Sequence, residues 1–103
     1  MSLQLSSAEL AIVRAILRQH VPAHEVWVFG SRARGSAKPH SDLDIALRGE
    51  ALSLATQAAL ADAFDESLLP FKVDVVDWAT ASPEFRALIE AQHIPLSLRP
   101  EPD

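Results

Sequence analysis

The sequence contains neither cysteine nor tyrosine, and it has only three glycines among 103 residues. Without cysteine, the chain cannot form a disulfide scaffold, a thiolate metal site or a cysteine nucleophile, and it suits a reducing compartment. No stretch approaches the roughly 18–20 continuous apolar residues of a membrane span. The opening MSLQLSSAEL also lacks the basic region and long apolar run of a signal peptide. We therefore expect a cytoplasmic protein.

Basic residues are scarce as well. Nine Lys and Arg residues face fourteen Asp and Glu residues, which gives a formal net charge of −5. This balance disfavours non-specific nucleic-acid binding, which needs an excess of basic side chains. The length predicts a single domain over residues 1–103. The hydrophobic fraction of 49% is sufficient for a core of its own.

Apolar residues at helical spacing predict three longer helices, over residues 6–20, 52–68 and 83–92. The first begins with the S-x-x-E spacing of a capping box, and the third has a serine N-cap followed by proline. The side chains expected on the inner faces are Leu10, Val13 and Leu17 in the first helix, Leu60, Phe64 and Leu68 in the second, and Phe85, Leu88 and Ile89 in the third.

Four short segments have the composition of strands, and they alternate with the helices. This alternation predicts an α/β (α+β) fold, with a small mixed sheet of about four strands flanked by helices. The fourth segment contains a proline, which restricts it to an edge of the sheet. The predicted strands cover residues 25–29, 42–48, 72–77 and 94–98.

Acidic residues recur on the second and third predicted strands. Because side chains alternate along a strand, Asp42 and Asp44 point to one face, and Asp74 can join them if the two strands are neighbours. Asp77 falls on the opposite face from Asp74, so we favour Asp74 as the third member. Clustered carboxylates repel one another unless cations neutralise them. Hard oxygen donors without Cys or His indicate Mg²⁺ or Mn²⁺.

A basic, glycine-flanked turn lies ahead of these aspartates. Gly30 and Gly35 enclose the sequence SRAR, which follows a strand and can open a short helix. Glycine lets the backbone approach a ligand closely, and a helix start directs free N–H groups at an anion. Ser31 adds a hydroxyl, and Arg34 and Lys38 add positive charge. A phosphate-binding turn beside a divalent-metal site is what a nucleoside triphosphate requires.

These motifs together carry a family resemblance. Gly-Ser, ten residues and then Asp-Leu-Asp match the G-S-x10-D-x-D pattern of the DNA polymerase beta-like nucleotidyltransferase superfamily. The segments GSRARG, SDLDIAL and KVDVVD resemble the minimal nucleotidyltransferases, and the resemblance covers residues 25–92. It implies the polymerase beta-like nucleotidyltransferase fold. In that family the usual partner is a helical HEPN-domain toxin, with the nucleotidyltransferase as the antitoxin of the pair.

The resemblance implies a two-metal site with ATP as the nucleotide. By position in the motif, Asp42 and Asp44 would hold both Mg²⁺ ions, and Asp74 would complete the site at the ion that activates the attacking hydroxyl.

The resemblance also implies roles around the nucleotide phosphates. Gly30 and Ser31 would contact the triphosphate, and Arg34 would stabilise the departing pyrophosphate. For Arg32 the sequence leaves two readings open, a ligand contact or a side chain turned away by one helical step.

The main functional hypothesis is the transfer of AMP from ATP to a tyrosine of a cognate HEPN toxin, within a hetero-oligomer. Because the sequence has no tyrosine, the acceptor would belong to another chain. One alternative is an antitoxin that inhibits by binding alone. Another is a nucleotidyltransferase acting on a small molecule or an RNA end, although the acidic balance disfavours RNA. The C-terminal AQHIPLSL departs from the glycine-containing turn and terminal tyrosine of the family.

Overall fold

The computed structural model describes residues 3–99. Every predicted helix and strand is present in it, with bounds shifted by a few residues. None of the helices in this part of the chain is long and apolar enough to cross a bilayer. In chain order the elements are α1 Ser7–His20, β1 Glu25–Phe29, α2 Ser31–Arg34, β2 Leu43–Arg48, α3 Leu54–Asp65, β3 Val73–Asp77, a 3₁₀ turn Trp78–Thr80, α4 Pro83–Ala91 and β4 Ile94–Leu96.

The four strands form one mixed sheet in the order β3-β2-β1-β4. β1 pairs in antiparallel fashion with both β2 and β4, whereas β2 and β3 run parallel. The prediction of a small mixed sheet of about four strands is therefore confirmed. β4 lies at an edge, and its Pro95 stands opposite Trp27 of β1. Proline is tolerated there because an edge strand need not donate a hydrogen bond on its free side.

One face of the sheet is covered by α1 and α3, which together form the main core. The capping box at the start of α1 is present, with Ser6 accepting from the Glu9 backbone and Glu9 accepting from the Ser6 backbone. Alternate residues of the strands face these helices, as expected for a half-buried sheet. The buried residues of this core include Val13, Leu17, Val26, Val28, Leu43, Ile45, Leu47, Leu60 and Phe64.

The second face of the sheet is covered in part by α4. Phe85 packs edge-on against Phe29 of β1, with ring centroids 5.8 Å apart, and Ile89 is buried outside the main core. His93, just after α4, stacks on Trp27 at 3.7 Å. Asp74 of β3 stays exposed. The uncovered part of this face is where the site lies.

Three side chains predicted to face the core do not. Leu68 is 91% exposed because α3 ends at Asp65, where Ser67 donates from its hydroxyl to the Phe64 carbonyl and closes the helix. Leu88 is 71% exposed and Phe85 is 37% exposed. α4 lies against the sheet along a narrow line, so Ile89 reaches the interior while its apolar neighbours remain at the surface.

This arrangement of α4 predicts opposite outcomes for two adjacent truncations. Ile89→Ala should lower the free energy of unfolding by about 2–5 kcal/mol, because it empties a buried position. Leu88→Ala should change it by no more than about 0.5 kcal/mol. Urea denaturation of both variants measures the difference, and equal losses would show that α4 buries both residues.

Candidate functional site

Two aspartates meet where β2 and β3 run side by side. In the parallel register, Asp44 stands directly opposite Asp74, and adjacent strands lie about 4.8 Å apart. Asp42 immediately precedes β2 and is exposed. The structure therefore brings together the three carboxylates that the sequence singled out, on the face opposite the main core.

The electrostatics of Asp44 show how tightly this group is assembled. Burial raises the pKa of Asp44 above its ordinary value, and the negative charges of Asp74 and then Asp42 raise that pKa further. A hydrogen bond between the side chains of Asp44 and Asp74 acts in the same direction, while Arg34 lowers the pKa. Two carboxyl groups can share a hydrogen bond only if one of them carries a proton. The cluster thus holds more negative charge than its surroundings neutralise.

Asp77, the alternative third acid, is used differently. One of its oxygens accepts a hydrogen bond from the Leu52 backbone at 3.1 Å, and the other accepts from the Ala79 backbone at 3.3 Å. Asp77 therefore joins β3 to the start of α3 and to the 3₁₀ turn, away from Asp44.

The turn after β1 places glycine directly against the carboxylates. Gly30 has φ +74° and ψ −155°, a conformation that is essentially restricted to glycine. A Cβ atom at this position would overlap the Asp44 carboxylate. Gly35 also has a positive φ, +82°, and it ends α2 in the left-handed conformation, with open space around its Cα. The two glycines thus differ in purpose, and only Gly30 touches the acidic cluster.

A cleft of about 570 Å³ opens beside Asp44. Its volume lies within the roughly 300–1,000 Å³ of small-molecule sites. Asp42 and Asp74 do not line it, although both are close enough to Asp44 to affect its pKa. The phosphate turn forms one wall and α4 the other. The lining residues are Phe29, Gly30, Ser31, Arg34, Asp44, Phe85, Leu88, Ile89, Ala91 and Gln92.

Sequence reasoning missed the α4 wall of this cleft. Phe85 and Leu88 recur at helical spacing, which is also the signal of a core-facing stripe, and nothing in the local pattern separates the two roles. The exposed apolar surface arises only because α4 is set back over β1, and that position depends on the whole fold.

The basic residues of the turn separate into two groups. Arg34 and Lys38 are exposed, and Arg34 lines the cleft. Arg32 is turned into the protein and does not line the cleft. His40 contacts the Pro70 carbonyl through Nδ1 at 3.0 Å.

The acidic cluster has the chemistry of a site for a hard divalent cation. Among residues 3–99, no three His, Asp or Glu side chains already stand in a closed coordination set. The donors nevertheless fit Mg²⁺ or Mn²⁺, because they are carboxylate oxygens without thiolate or imidazole. The raised pKa of Asp44 and its contact with Asp74 show a concentration of negative charge that a cation would relieve.

Substituting alanine for each glycine of the turn should separate backbone strain from damage to the acidic cluster. Gly30→Ala places a methyl group on the Asp44 carboxylate, whereas Gly35→Ala meets open space. We expect both variants to lose stability, by about 1–3 kcal/mol each, because both positions have positive φ. Nucleotide binding per folded molecule, measured by calorimetry, should fall only in Gly30→Ala. An equal fall in Gly35→Ala would mean that strain alone is responsible.

Asp44→Asn should raise the melting temperature of the metal-free protein near pH 7. The folded state raises the pKa of Asp44, so the ionised carboxylate destabilises the fold above that pKa, and the penalty disappears as pH falls through it. The advantage of the asparagine variant should therefore shrink towards acidic pH. Asp62→Asn, on exposed α3 surface, serves as the control. A melting temperature below that of the wild type at pH 7 would contradict this account.

Comparison with known proteins places this geometry in a family. The family model described as polymerase beta, nucleotidyltransferase matches residues 12–101. The chain is 48% identical over 93 residues to the Haemophilus influenzae protein named "Probable protein adenylyltransferase MntA", a match that covers 89% of this chain and 82% of that protein.

Solved structures share the same fold. A toxin–antitoxin complex with AMP-PNP superposes with a TM-score of 0.72 and 28% identity, over 85% of this chain and 72% of that one. A structure described as a minimal nucleotidyltransferase gives a TM-score of 0.67 and 34% identity, over 90% of this chain and 98% of that one. With its four-stranded mixed sheet, paired aspartates and matching family model, the chain belongs to the polymerase beta nucleotidyltransferase family.

Proposed function

We propose that this nucleotidyltransferase transfers AMP from ATP to the hydroxyl of a tyrosine on a partner HEPN-domain toxin, and so acts as the antitoxin of the pair. The observation that carries the proposal is the in-register meeting of Asp44 and Asp74 beside the Gly30 turn. The 48% identity to a protein adenylyltransferase supports the class of reaction.

In this proposal, Asp42, Asp44 and Asp74 hold Mg²⁺, with two ions expected and Mn²⁺ as a substitute. Bound there, the ions would supply charge neutralisation and a lowered hydroxyl pKa for attack on the α-phosphorus. The protein's part is to keep three acceptor-only groups on strands that cannot move apart. Asp44 has the central place, because both other carboxylates act on its pKa.

The turn and the cleft would bind the nucleotide itself. Ser31 lies at the start of α2 and offers its hydroxyl and backbone N–H to the triphosphate, next to the close approach at Gly30. Arg34 lies exposed on the same cleft and would neutralise the pyrophosphate as it leaves. The AMP-PNP complex of a structural relative supports a triphosphate ligand for this fold.

The acceptor would be supplied by the partner. The sequence contains no tyrosine, so transfer to tyrosine requires a second chain. The toxin–antitoxin complex among the structural relatives supports a stable hetero-oligomer as the working form. We propose the cytoplasm as the site of this reaction, since both the nucleotide and an RNA-cleaving toxin act there.

The proposal predicts that AMP transfer depends on the acidic cluster. The purified complex with the co-expressed toxin should transfer label from α-³²P-ATP to the toxin when Mg²⁺ is present and should stop when the metal is chelated. Asp42→Asn and Asp44→Asn should each reduce the rate by about 100-fold or more, since a metal-held transition state loses several kcal/mol. Asp65→Asn, an exposed acid at the end of α3, should be neutral.

The controls separate the other functions. If the toxin receives no label but is still inhibited by the double variant Asp42→Asn/Asp44→Asn, the protein inhibits by binding alone. If label moves to RNA ends or to a small molecule instead, the acceptor assignment is wrong while the transferase assignment stands.

A further inference from the structure

Arg32 is an unusual buried cation. Only 3% of its surface is exposed. Buried arginines are usually paired with a carboxylate. Within the described residues, however, each hydrogen bond that Arg32 donates ends on a main-chain carbonyl oxygen. The guanidinium is thus arranged to hold backbone rather than to balance a side-chain charge.

Most of these bonds hold the connection between α2 and β2, residues 35–42, which we call the connecting segment. Nε and Nη2 of Arg32 donate to the Ser41 carbonyl at 3.0 and 2.8 Å, and Nη2 also donates to the Pro39 carbonyl at 3.0 Å. The Ser41 carbonyl belongs to the peptide unit that leads directly into Asp42. Fixing that carbonyl therefore fixes the backbone from which the Asp42 side chain projects.

The other contacts of Arg32 reach further parts of the site. Nη1 donates to the Gln4 carbonyl, and the guanidinium lies 4.1 Å from the ring centre of Phe71, in cation–π contact. Phe71 precedes Asp74 by three residues. Next to it, the Lys72 carbonyl accepts from the Leu43 backbone at 2.9 Å, where β2 and β3 begin. One side chain thus touches the segments leading into both aspartate-bearing strands.

We infer that Arg32 is a positioning residue that sets Asp42 and Asp74 in place around Asp44. Its planar fork of five donors can reach several carbonyls at once, which a lysine ammonium cannot do. It projects from α2, immediately after Ser31 of the phosphate turn, so it couples that turn to the acidic cluster. The inference deepens the proposed function and rests on it for the identity of the cation.

The test compares Arg32→Met with a matched variant, Arg86→Met. Arg86 is half-buried, donates to the Trp78 carbonyl at 2.9 and 2.6 Å and to the Ala79 carbonyl at 3.1 Å, and lies 5.4 Å from the Trp78 ring. It makes the same kinds of contact as Arg32, but it holds the 3₁₀ turn to α4. Loss of general stability should therefore be similar in the two variants.

Two measurements distinguish positioning from general stability. Amide hydrogen exchange of the connecting segment reports its order, since the amides of Ala37, Lys38 and Ser41 are hydrogen-bonded there. Electron paramagnetic resonance of free Mn²⁺ reports cation binding without any need for turnover. Arg32→Met should raise exchange across this segment and weaken Mn²⁺ binding by about 10–100-fold, as loss of a supporting residue does at metal sites. Arg86→Met should do neither.

Two gentler variants keep the test decisive if Arg32→Met does not fold. Arg32→Lys retains the charge but not the fork, so it should weaken Mn²⁺ binding while melting near the wild type. Ser41→Ala removes a hydroxyl that accepts from the Lys38 backbone at 2.8 Å, and it should weaken Mn²⁺ binding by a smaller factor.

The inference is overturned if exchange in the connecting segment stays at the wild-type level, or if Mn²⁺ binding falls equally in Arg32→Met and Arg86→Met. A wild type that binds no Mn²⁺ would instead refute the proposed metal site, and hydrogen exchange alone would then decide whether Arg32 holds the backbone at Asp42.

Discussion

The molecule depends on the close approach of negative charges at the junction of β2 and β3. Parallel pairing sets Asp44 opposite Asp74, and burial makes their repulsion costly enough to raise the pKa of Asp44. A fold driven only by stability would place apolar residues here, as it does on the other face of the same strands. The cost is understandable if a cation is bound in use, because carboxylate repulsion then becomes attraction to the ion.

Other features of the structure support this junction. The core of α1 and α3 covers one sheet face so completely that the other can remain partly open for a ligand. Gly30 lets the β1 turn approach Asp44 more closely than any side chain would allow. Arg34 adds positive charge at the same place and lowers the pKa that the other acids raise. Phosphate-binding and cation-binding chemistry thus adjoin because β1 and β2 are neighbours in the sheet.

Much of this could be predicted from local sequence. Alternation along residues 42–48 placed Asp42 and Asp44 opposite the apolar set, and the spacing of glycine and serine ahead of them identified the turn. Period two also separated Asp74 from Asp77, which the structure uses to anchor α3. These inferences succeeded because each depends on a repeat of two or four residues that the backbone itself imposes.

Long-range placement was less accessible. Leu88 has the spacing of a core residue, and only the position of α4 over β1 leaves it at the surface of a cleft. Arg32 gave no local signal, since its acceptors lie at Gln4 and at Pro39 and Ser41, on different segments of the chain. A periodicity describes which side of an element is apolar, but it does not describe what that side meets.

The most direct test of the shared-cation account is a crystal structure of the protein with Mn²⁺ and a non-hydrolysable ATP analogue, with data collected at the manganese absorption edge. The account predicts anomalous peaks at about 2.1 Å from oxygens of Asp42, Asp44 and Asp74, adjacent to the analogue phosphates at Ser31. Manganese bound elsewhere, or an ordered triphosphate with no anomalous peak among these carboxylates, would contradict it.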